Sequence, residues 1–399
     1  MDYKSLVQKY GSPLYLYDFD AIEKNYLRLK EAFRARKSLV AYAVKANSNL
    51  SVLKHLGELG AGCDCVSIGE VRRALMAGIK PYKIIFSGVG KKDEELEEAL
   101  KSDILMINIE SLGEFSRLEK IACECGKIAR ISVRVNPNID PKTHPYISTG
   151  LHENKFGVNI EEAKKIYLKA KNSPHIEPVG IHFHIGSQLM DLDPIKEAAG
   201  LISSLVHQLK TLEIDIKFFD IGGGLGINYE GEKTIAPYDY AQAILEHLGG
   251  LDVTIVCEPG RFIVGNSGVF VSRVLYEKKN GDKRFVIIDG AMNDLLRPSL
   301  YDAFHGVELI GGSGEESKAD VVGPVCESGD FLAKDVLLKV AKHDDIVVIK
   351  SAGAYCFSMS SNYNSRLKVA EVALQGGETR LIRRRESFED MIRLEKDCL

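Results

Sequence analysis

The feature that most constrains the fold is a regular alternation of short apolar runs with longer, charged and amphipathic stretches. Helix-like segments such as KKDEELEEALKS (91–102) separate the runs. Strand–helix alternation implies parallel strands, and eight such units predict an α/β protein with a closed (β/α)8 TIM barrel rather than an open, doubly wound sheet. The eight apolar runs are SLVAYAVKAN (38–47), GCDCVS (62–67), KIIFSG (83–88), DILMINI (103–109), ARISVRVNP (129–137), VGIHFHIG (179–186), KFFDIGGGLG (217–226) and DVTIVCEPGR (252–261).

The pattern changes after about residue 266, where strand-like runs follow one another across short turns that contain Gly or Asp. Because few helical stretches interrupt them, these runs predict a second, C-terminal domain that is a mainly antiparallel β-barrel or sandwich. We therefore predict a barrel domain over residues 22–266 and a β domain over 267–399, which residues 1–21 join. The segment SFEDMIRLEKDCL (387–399) predicts a short terminal helix.

The composition excludes several classes of partner. The 399 residues carry a net charge of −4, so the chain lacks the basic character that binds nucleic acid. No apolar stretch approaches the ~20 residues that span a bilayer, and from the first residues we expect no secretory signal. The eight cysteines are scattered, as expected in a reduced compartment. We predict a cytoplasmic protein that binds neither nucleic acid nor membrane.

Polar side chains cluster near the C-terminal ends of the predicted strands, whereas the strand starts carry ordinary turn residues. In a (β/α)8 barrel, functional groups project from that end of the strands. This placement predicts an enzyme. The residues concerned are Lys45, Arg134, His184, the glycines 222–224, Glu258 and Arg261.

The glycine run in DIGGGLG (220–226) has two interpretations. It is either a tight turn or a place where backbone N–H groups approach an anion, and barrels often bind phosphate after the seventh and eighth strands. Tyr229 stands where a dinucleotide-binding fingerprint needs its last glycine, and the sequence has no Walker A motif. The anion interpretation therefore predicts a small phosphate-bearing cofactor.

Lys45 also has two interpretations. It is either a solvated lysine at a strand end or an amine whose charge the apolar run disfavours, so that a neutral nucleophile can trap a carbonyl. Combined with a phosphate site, the second predicts pyridoxal 5′-phosphate (PLP), with Glu258 at the ring nitrogen and His184 on the ring face. A zinc site built from HFHIGSQ (182–188) and the cysteines of GCDC (62–65) is the alternative, but no CxxC pair or HExxH helix supports it. We predict no metal.

A set of motifs occurs in order along nearly the whole chain, and together they resemble the fold-type III PLP-dependent decarboxylases, most closely the diaminopimelate branch of that family. The glycine run alone is weakly specific, whereas HPYISTG with KFG, RPSLYDAFH and CESGD are particular to this branch. The loops of the β domain are then expected to close over the barrel mouth. The motifs are YAVKAN, CDCVSIGE, VRVNPNIDPKTHPYISTGLHENKFG, GIHFHIGSQ, DIGGGLG, CEPGR, RPSLYDAFH, VVGPVCESGD and GAYCFSMSSNYN.

The resemblance implies how the cofactor is held. Lys45 forms the covalent bond with PLP, and His184 stacks on the pyridine ring. Glu258 keeps the pyridine nitrogen protonated, which makes the ring a strong electron acceptor and favours decarboxylation over racemisation. The other cofactor-binding residues implied are Ser187, Gly223, Gly224, Gly260, Arg261 and Tyr355.

The resemblance also implies the substrate, meso-diaminopimelate, which loses CO2 to give L-lysine. Its distal end carries an ammonium and a carboxylate, and the planar fork of arginine suits the carboxylate. Cys326 resembles the proton donor of the family, a role for which an ordinary thiol is suitably protonated at neutral pH. The family's CESGD loop serves the partner subunit, so a homodimer with shared active sites is expected. The substrate-binding residues implied are Arg261, Arg297, Tyr301, Glu327 and Tyr355.

Three other functions compete with this one. The chain could decarboxylate a related substrate such as carboxynorspermidine or ornithine, although Arg297 and Tyr301 argue against a plain diamine tail. A non-catalytic PLP-binding barrel protein would lack the β domain. A sugar-phosphate barrel enzyme could use Lys45 as a Schiff-base lysine without PLP. The visible absorption band of bound PLP would separate the last alternative from the others.

Overall fold

The computed structural model describes residues 1–140 and 155–399. Most of the motif HPYISTGLHENKFG (144–157) lies outside the described residues. The chain divides into two compact units, which we call the β unit and the barrel unit. The β unit comprises Met1–Ile22, Asn228–Glu232 and Ile263–Leu399, and the barrel unit comprises Glu23–Ile227 and Lys233–Phe262.

The strands of the described residues include one in each of the eight apolar runs identified above. In chain order the strands are β1 (Leu14–Asp18), β2 (Ser38–Ala43), β3 (Gly62–Cys65), β4 (Ile84–Phe86), β5 (Met106–Ile109), β6 (Ala129–Arg134), β7 (Ile176–His182), β8 (Phe218–Asp220), β9 (Thr254–Cys257), β10 (Gly268–Asn280), β11 (Lys283–Ile288), β12 (Val307–Ile310), β13 (Ser313–Val322), β14 (Phe331–Val340), β15 (Ile346–Ile349), β16 (Ala370–Gln375) and β17 (Glu378–Arg383).

The α-helices of the barrel unit alternate with its strands, and in the described part of the chain none is long and apolar enough to cross a membrane. The helices are α1 (Tyr3–Tyr10), α2 (Phe19–Ala32), α3 (Leu50–Glu58), α4 (Ile68–Met76), α5 (Asp93–Lys101), α6 (Leu112–Glu124), α7 (Ile160–Lys171), α8 (Asp193–Thr211), α9 (Pro237–Leu245), α10 (Arg261–Val264), α11 (Arg297–Tyr301) and α12 (Phe388–Lys396). The terminal helix α12 confirms the prediction made for that segment.

Strands β2 to β9 close into an eight-stranded barrel in which every pairing is parallel, including that of β9 with β2. This confirms the predicted (β/α)8 fold. Because all eight strands run in the same direction, the residues that follow them gather at one mouth of the barrel. Apolar side chains from five of the barrel strands pack together in one buried cluster, and they include Ala41, Ile85, Met106, Val179 and Val256.

The β unit contains a nine-stranded, mostly antiparallel sheet, as predicted for the second domain. The strand order is β14-β13-β11-β10-β1-β16-β17, and β15 pairs with β10 and β12. Strand β1 lies inside this sheet, where it is antiparallel to β10 and parallel to β16. Leu14 and Leu16 of β1 consequently pack in one buried cluster with Val271 and Val348. The N-terminal residues thus contribute a central strand of the β unit.

A buried ion pair connects the loop after β4 with the start of α6. Lys91 Nζ donates to Glu114 Oε1 and to two backbone carbonyl oxygens, each at 2.7 Å. Glu114 Oε2 accepts from the backbone N–H of Glu110 at 2.9 Å, and the Glu110 side chain forms an ion pair of 3.2 Å with Arg134. This network holds the ends of β5 and β6 together at the barrel mouth.

Replacing Lys91 by Met is expected to destabilise the barrel strongly, because the buried Glu114 carboxylate loses its counter-charge. Breaking one partner of a buried ion pair costs about 3–5 kcal/mol in the free energy of unfolding. Urea unfolding followed by circular dichroism measures the change, since the chain has no tryptophan to serve as a fluorescence probe.

The matched control is Lys92→Met, because the Lys92 side chain is exposed and its ion pair with Glu94 is long, at 4.0 Å. This variant should change the free energy of unfolding by less than about 0.5 kcal/mol. The double variant Lys91→Met/Glu114→Gln should recover part of the lost stability. Equal losses in Lys91→Met and Lys92→Met would contradict the structural role of the buried pair.

Candidate active site

Lys45 lies directly after β2, in a short 3-10 helix over Val44–Ala46. Its side chain is 41% exposed, and its Nζ is 3.9 Å from Asp64 Oδ2 at the neighbouring strand β3. The desolvation expected from the apolar run is therefore not what acts on this amine. The ammonium stands at the barrel mouth, where a ligand can reach it, and its anionic neighbour is a buried carboxylate.

Asp64 is buried, and this burial raises the pKa of its carboxyl to about 6. The nearby Glu258 carboxylate raises the pKa further, whereas the Lys45 ammonium lowers it. The Lys45 ammonium therefore favours the ionised form of Asp64, and the two side chains form a charged pair at the barrel mouth. Asp64 was not identified from the sequence, although a lone Asp within the apolar run GCDC is the signal that could have revealed it.

Strand register brings three ionisable side chains together at the ends of β7, β8 and β9. His182 and Asp220 are direct partners across the β7–β8 ladder, and the backbone N–H of Glu258 donates to Gly222 O at 2.7 Å. His182 Nε2 lies 3.3 Å from Glu258 Oε2. One ligand-type atom of each of the three side chains lies within 4.8 Å of the other two, and all three side chains are buried.

The two carboxyls of this group differ in protonation. Burial raises the pKa of Asp220 well above its ordinary value, and the adjacent Glu258 charge raises it further. Burial also acts to raise the pKa of Glu258, but His182 and a hydrogen bond from Asp220 outweigh it and lower the pKa to about 2. Asp220 is thus the partner that keeps a proton, and Glu258 is ionised.

The ionised Glu258 retains capacity to bind a ligand. No N–H or hydroxyl group of the described residues donates to its Oε1 atom, which is buried. A carboxylate has about four lone-pair sites, so His182 and Asp220 leave acceptor capacity unused. A protonated ring nitrogen is a donor that suits this charge.

The glycine run after β8 allows three strand ends to approach closely. A Cβ on Gly223 would lie 2.2 Å from Glu258 O, and one on Gly222 would lie 2.6 Å from Phe183 O. Gly222 (φ +63°) and Gly224 (φ +117°) also adopt backbone conformations that favour glycine. The run therefore has a packing function, because any side chain there would push apart the segments that carry His184 and Glu258.

His184 presents a neutral ring to the barrel mouth. Its Nδ1 accepts a hydrogen bond from the backbone N–H of Gly223 at 3.2 Å, so the ring proton belongs on Nε2. Burial lowers the pKa of His184 well below its ordinary value, and Lys45 and Arg134 lower it further. An uncharged imidazole of fixed orientation is suited to stacking on a flat heteroaromatic ring.

The same mouth also carries a buried arginine and two backbone N–H groups that remain available to an anion. Arg261, which is buried, donates to Ser187 Oγ from Nε at 3.3 Å and from Nη2 at 3.1 Å. The backbone N–H groups of Gly224 and Gly260 have no acceptor among the described residues. The N–H of Gly223 is already used by His184, so it is not available in the way the anion interpretation supposed.

The other residues singled out in the sequence belong to the β unit. Arg297 and Tyr301 are the first and last residues of α11. The backbone N–H of Cys326 donates to Asn364 Oδ1 at 2.9 Å, and the adjacent Glu327 accepts from the Tyr363 hydroxyl at 2.8 Å. Tyr355 adopts φ +58°, an uncommon conformation for a bulky residue.

The cysteines of the zinc alternative do not belong to the ionisable group at the barrel mouth. Burial raises the pKa of the Cys63 and Cys65 thiols, which disfavours the thiolate that binds a metal. His182, which the zinc alternative included, lies instead against Glu258. We interpret the group of His182, Asp220 and Glu258 as the support of one ionised carboxylate.

The barrel residues fit PLP, the cofactor expected from the sequence. Lys45 supplies an accessible amine, Glu258 an ionised acceptor for the pyridine nitrogen, and His184 a neutral ring. The unused N–H groups of Gly224 and Gly260 suit a phosphate. The residues fit PLP because the amine, the carboxylate, the imidazole and the backbone N–H groups occur together, and no single residue would be sufficient.

Residues 19–265 match the family described as pyridoxal-dependent decarboxylase, pyridoxal binding domain. The class of protein that the fold and the site define is therefore the pyridoxal-dependent decarboxylases, which confirms the predicted cofactor. The chain is 62% identical to the diaminopimelate decarboxylase of Campylobacter jejuni, over 100% of both proteins.

Solved structures agree with this class. The crystal structure of diaminopimelate decarboxylase from Helicobacter pylori, complexed with L-lysine, has a TM-score of 0.97 at 56% identity and covers 100% of both chains. The diaminopimelate decarboxylase from M. jannaschii, also in complex with L-lysine, has a TM-score of 0.94 at 35% identity, over 99% of this chain and 94% of the other. The chain belongs to the diaminopimelate decarboxylase family.

Replacing Glu258 by Gln and replacing Asp220 by Asn should have unequal effects on the affinity for PLP. Glu258→Gln removes an ionised acceptor and should weaken PLP binding about 10- to 100-fold, since hydrogen bonds to charged groups are the strong ones. Asp220→Asn replaces a protonated carboxyl by a neutral group of the same shape and should change the affinity less than about threefold. Equilibrium dialysis against PLP measures both constants, and equal losses would contradict the assigned protonation states.

Proposed function

We propose that this protein decarboxylates meso-2,6-diaminopimelate to L-lysine and CO2, the last step of lysine biosynthesis by the diaminopimelate route. The observation that carries the proposal is identity of 56–62% over the full length with relatives named diaminopimelate decarboxylase, one of them solved with L-lysine bound. An amine, an ionised carboxylate and a neutral imidazole at one barrel mouth provide the chemistry that this reaction needs.

Lys45 is proposed to hold the cofactor covalently, with His184 against its ring and Glu258 at its nitrogen. When bound, PLP supplies the electron acceptor for the pair released as CO2 leaves. The ionised Glu258 holds a proton on the pyridine nitrogen, and a protonated ring accepts electrons more readily. The remaining cofactor-binding residues proposed are Ser187, Gly224, Gly260, Arg261 and Tyr355, whereas Gly223 is proposed to act through its hydrogen bond to His184.

The β unit is proposed to supply the proton donor and the substrate contacts. Cys326 is exposed in this chain, and its Sγ delivers a proton to the substrate carbon that has lost CO2. Glu327 has an anionic oxygen to offer the distal ammonium, and arginine is the residue that best matches a distal carboxylate. The substrate-binding residues proposed are Arg261, Arg297, Tyr301, Glu327 and Tyr355.

We also propose that the predicted domain over residues 22–266 binds the cofactor, and that residues 267–399 with 1–21 carry the substrate and interface loops. Within the first range, Asn228–Glu232 and residues 263–266 belong to the β unit. The functional form is proposed to be a homodimer in which the Cys326 loop serves the active site of the partner subunit. None of the eight cysteines forms a disulfide bond, which supports a cytoplasmic location.

The activity is tested by incubating the purified, PLP-loaded protein with meso-diaminopimelate and measuring lysine and CO2. Ornithine and L-lysine, each offered separately as an alternative substrate, should be turned over at least about 100-fold less efficiently, because both lack the distal carboxylate. Lys45→Ala should lose the visible band of the bound cofactor and the turnover together. Absence of lysine from the loaded protein would refute the proposed function.

Cys326→Ala should retain the visible band of the cofactor and lose about 10²–10⁴-fold in kcat, the usual contribution of a positioned proton donor. Cys398→Ala is the matched control, since Cys398 is also an exposed thiol. Mixing Lys45→Ala with Cys326→Ala subunits should restore up to about a quarter of the active sites, because half the dimers are then mixed and each has one intact site. If the mixture stays inactive while subunits exchange, the active sites are not shared.

A further inference from the structure

Arg297 is a buried cation without an anionic partner in the described part of the chain. Its exposed fraction is 7%, and no carboxylate of the described residues lies within 4.0 Å of its guanidinium. Burying a charge is costly unless other groups compensate for it. The neighbours of this guanidinium therefore indicate how its charge is stabilised and which of its N–H groups are available to a ligand.

Two neutral acceptors meet a single nitrogen of Arg297. Nη1 donates to the Tyr229 hydroxyl at 2.9 Å and lies 3.0 Å from His305 Nε2. The Tyr229 ring also lies below the guanidinium, with its centroid 4.9 Å from Cζ. The His305 ring meets the Tyr229 ring edge-on at 5.6 Å. These contacts hold the plane of the guanidinium in one orientation.

The tautomer of His305 follows from its second nitrogen. His305 Nδ1 lies 2.8 Å from the carbonyl oxygen of Lys350, and a carbonyl can only accept, so Nδ1 carries the proton. Nε2 is then an acceptor, as the contact with Arg297 requires. The Lys350 backbone N–H donates to Gly306 O at 2.8 Å, which fixes this carbonyl to the residue next to His305.

One edge of the Arg297 guanidinium makes no hydrogen bond to the described residues. Both hydrogens of Nη1 are taken by Tyr229 and His305, while Nε and Nη2 of Arg297 have no acceptor among the described residues. Nε–H and one Nη2–H point in parallel, and they form the fork that binds a carboxylate through two hydrogen bonds.

We propose that His305 and Tyr229 are positioning residues that occupy Nη1 of Arg297, so that its Nε–Nη2 edge receives the distal carboxylate of the substrate. This inference rests on the proposed function and specifies how its substrate is selected. An amino acid that keeps its distal carboxylate gains two charge-assisted hydrogen bonds, whereas a diamine leaves the fork unpaired. Selectivity against diamines thus depends on two residues that need not touch the substrate.

The test compares the binding of L-lysine and of cadaverine, which is lysine without its carboxylate. Isothermal titration of the PLP-loaded protein should show L-lysine bound at least about 30-fold more tightly than cadaverine. In His305→Leu this ratio should fall about tenfold, since Nη1 loses an acceptor and the fork loses its orientation. His305→Gln, which keeps an acceptor and a donor, should lose less. The KM for meso-diaminopimelate should rise more than kcat falls.

Matched controls separate positioning from a general structural effect. His343 is exposed and also contacts a backbone carbonyl at 2.8 Å, so His343→Leu should leave the binding ratio unchanged. Tyr229→Phe keeps the ring and removes the hydroxyl, and it should lower the ratio about threefold to tenfold even if His305→Leu fails to fold. Tyr276→Phe, at an exposed tyrosine of the same unit, should have no effect.

The outcomes of the two proposals can be told apart. If the unaltered protein produces no lysine from meso-diaminopimelate, the proposed function fails. If that activity is present but the lysine-to-cadaverine ratio is the same in the unaltered protein, in Tyr229→Phe and in His305→Leu, only the positioning role of His305 and Tyr229 is overturned.

Discussion

The ionised carboxylate of Glu258 is the constraint on which the barrel mouth depends. A buried carboxylate normally takes up a proton, and here a histidine and a protonated carboxyl prevent it. For His182 and Asp220 to reach Glu258, the ends of β7, β8 and β9 must lie very close together. The glycines after β8 permit this, because a Cβ on Gly223 would overlap the carbonyl of Glu258. The same few residues thus keep Glu258 ionised and allow the ends of the three strands to pack closely.

The β unit contains a buried ion of the opposite charge, the guanidinium of Arg297, which its neighbours stabilise in a similar way. Arg297 is held in place by neutral acceptors and an aromatic ring, and Glu258 by neutral or cationic donors. In both cases the partners satisfy one side of the buried ion and leave acceptor or donor capacity on the other. A buried ion of this kind costs stability in the ligand-free protein, and the ligand proposed for each site would supply the missing partner. Such sites therefore bind by charge and geometry with little reorganisation.

Much of the fold could be predicted because its signal is local. The eight barrel strands coincide with apolar runs, and the helices between them coincide with charged, amphipathic segments. Strands β1, β14 and β17 were not identified. Most residues of β14 and β17 are exposed or only partly buried, so no apolar alternation marks them. Strand β1 is apolar, but its partners β10 and β16 lie near the other end of the chain, and no local pattern reveals that pairing.

The sequence by itself determined the alternating architecture, the family and the identity of Lys45, His184 and Glu258 as candidates, because periodicity and ordered motifs are properties of the chain alone. Only the tertiary structure decided that Lys45 is exposed beside Asp64, that Asp220 keeps the proton Glu258 gives up, and that His305 accepts from Arg297. The physical reason is that protonation and hydrogen bonding depend on desolvation and on neighbours from other segments. Strand register and close packing bring those neighbours together, and spacing along the chain does not encode them.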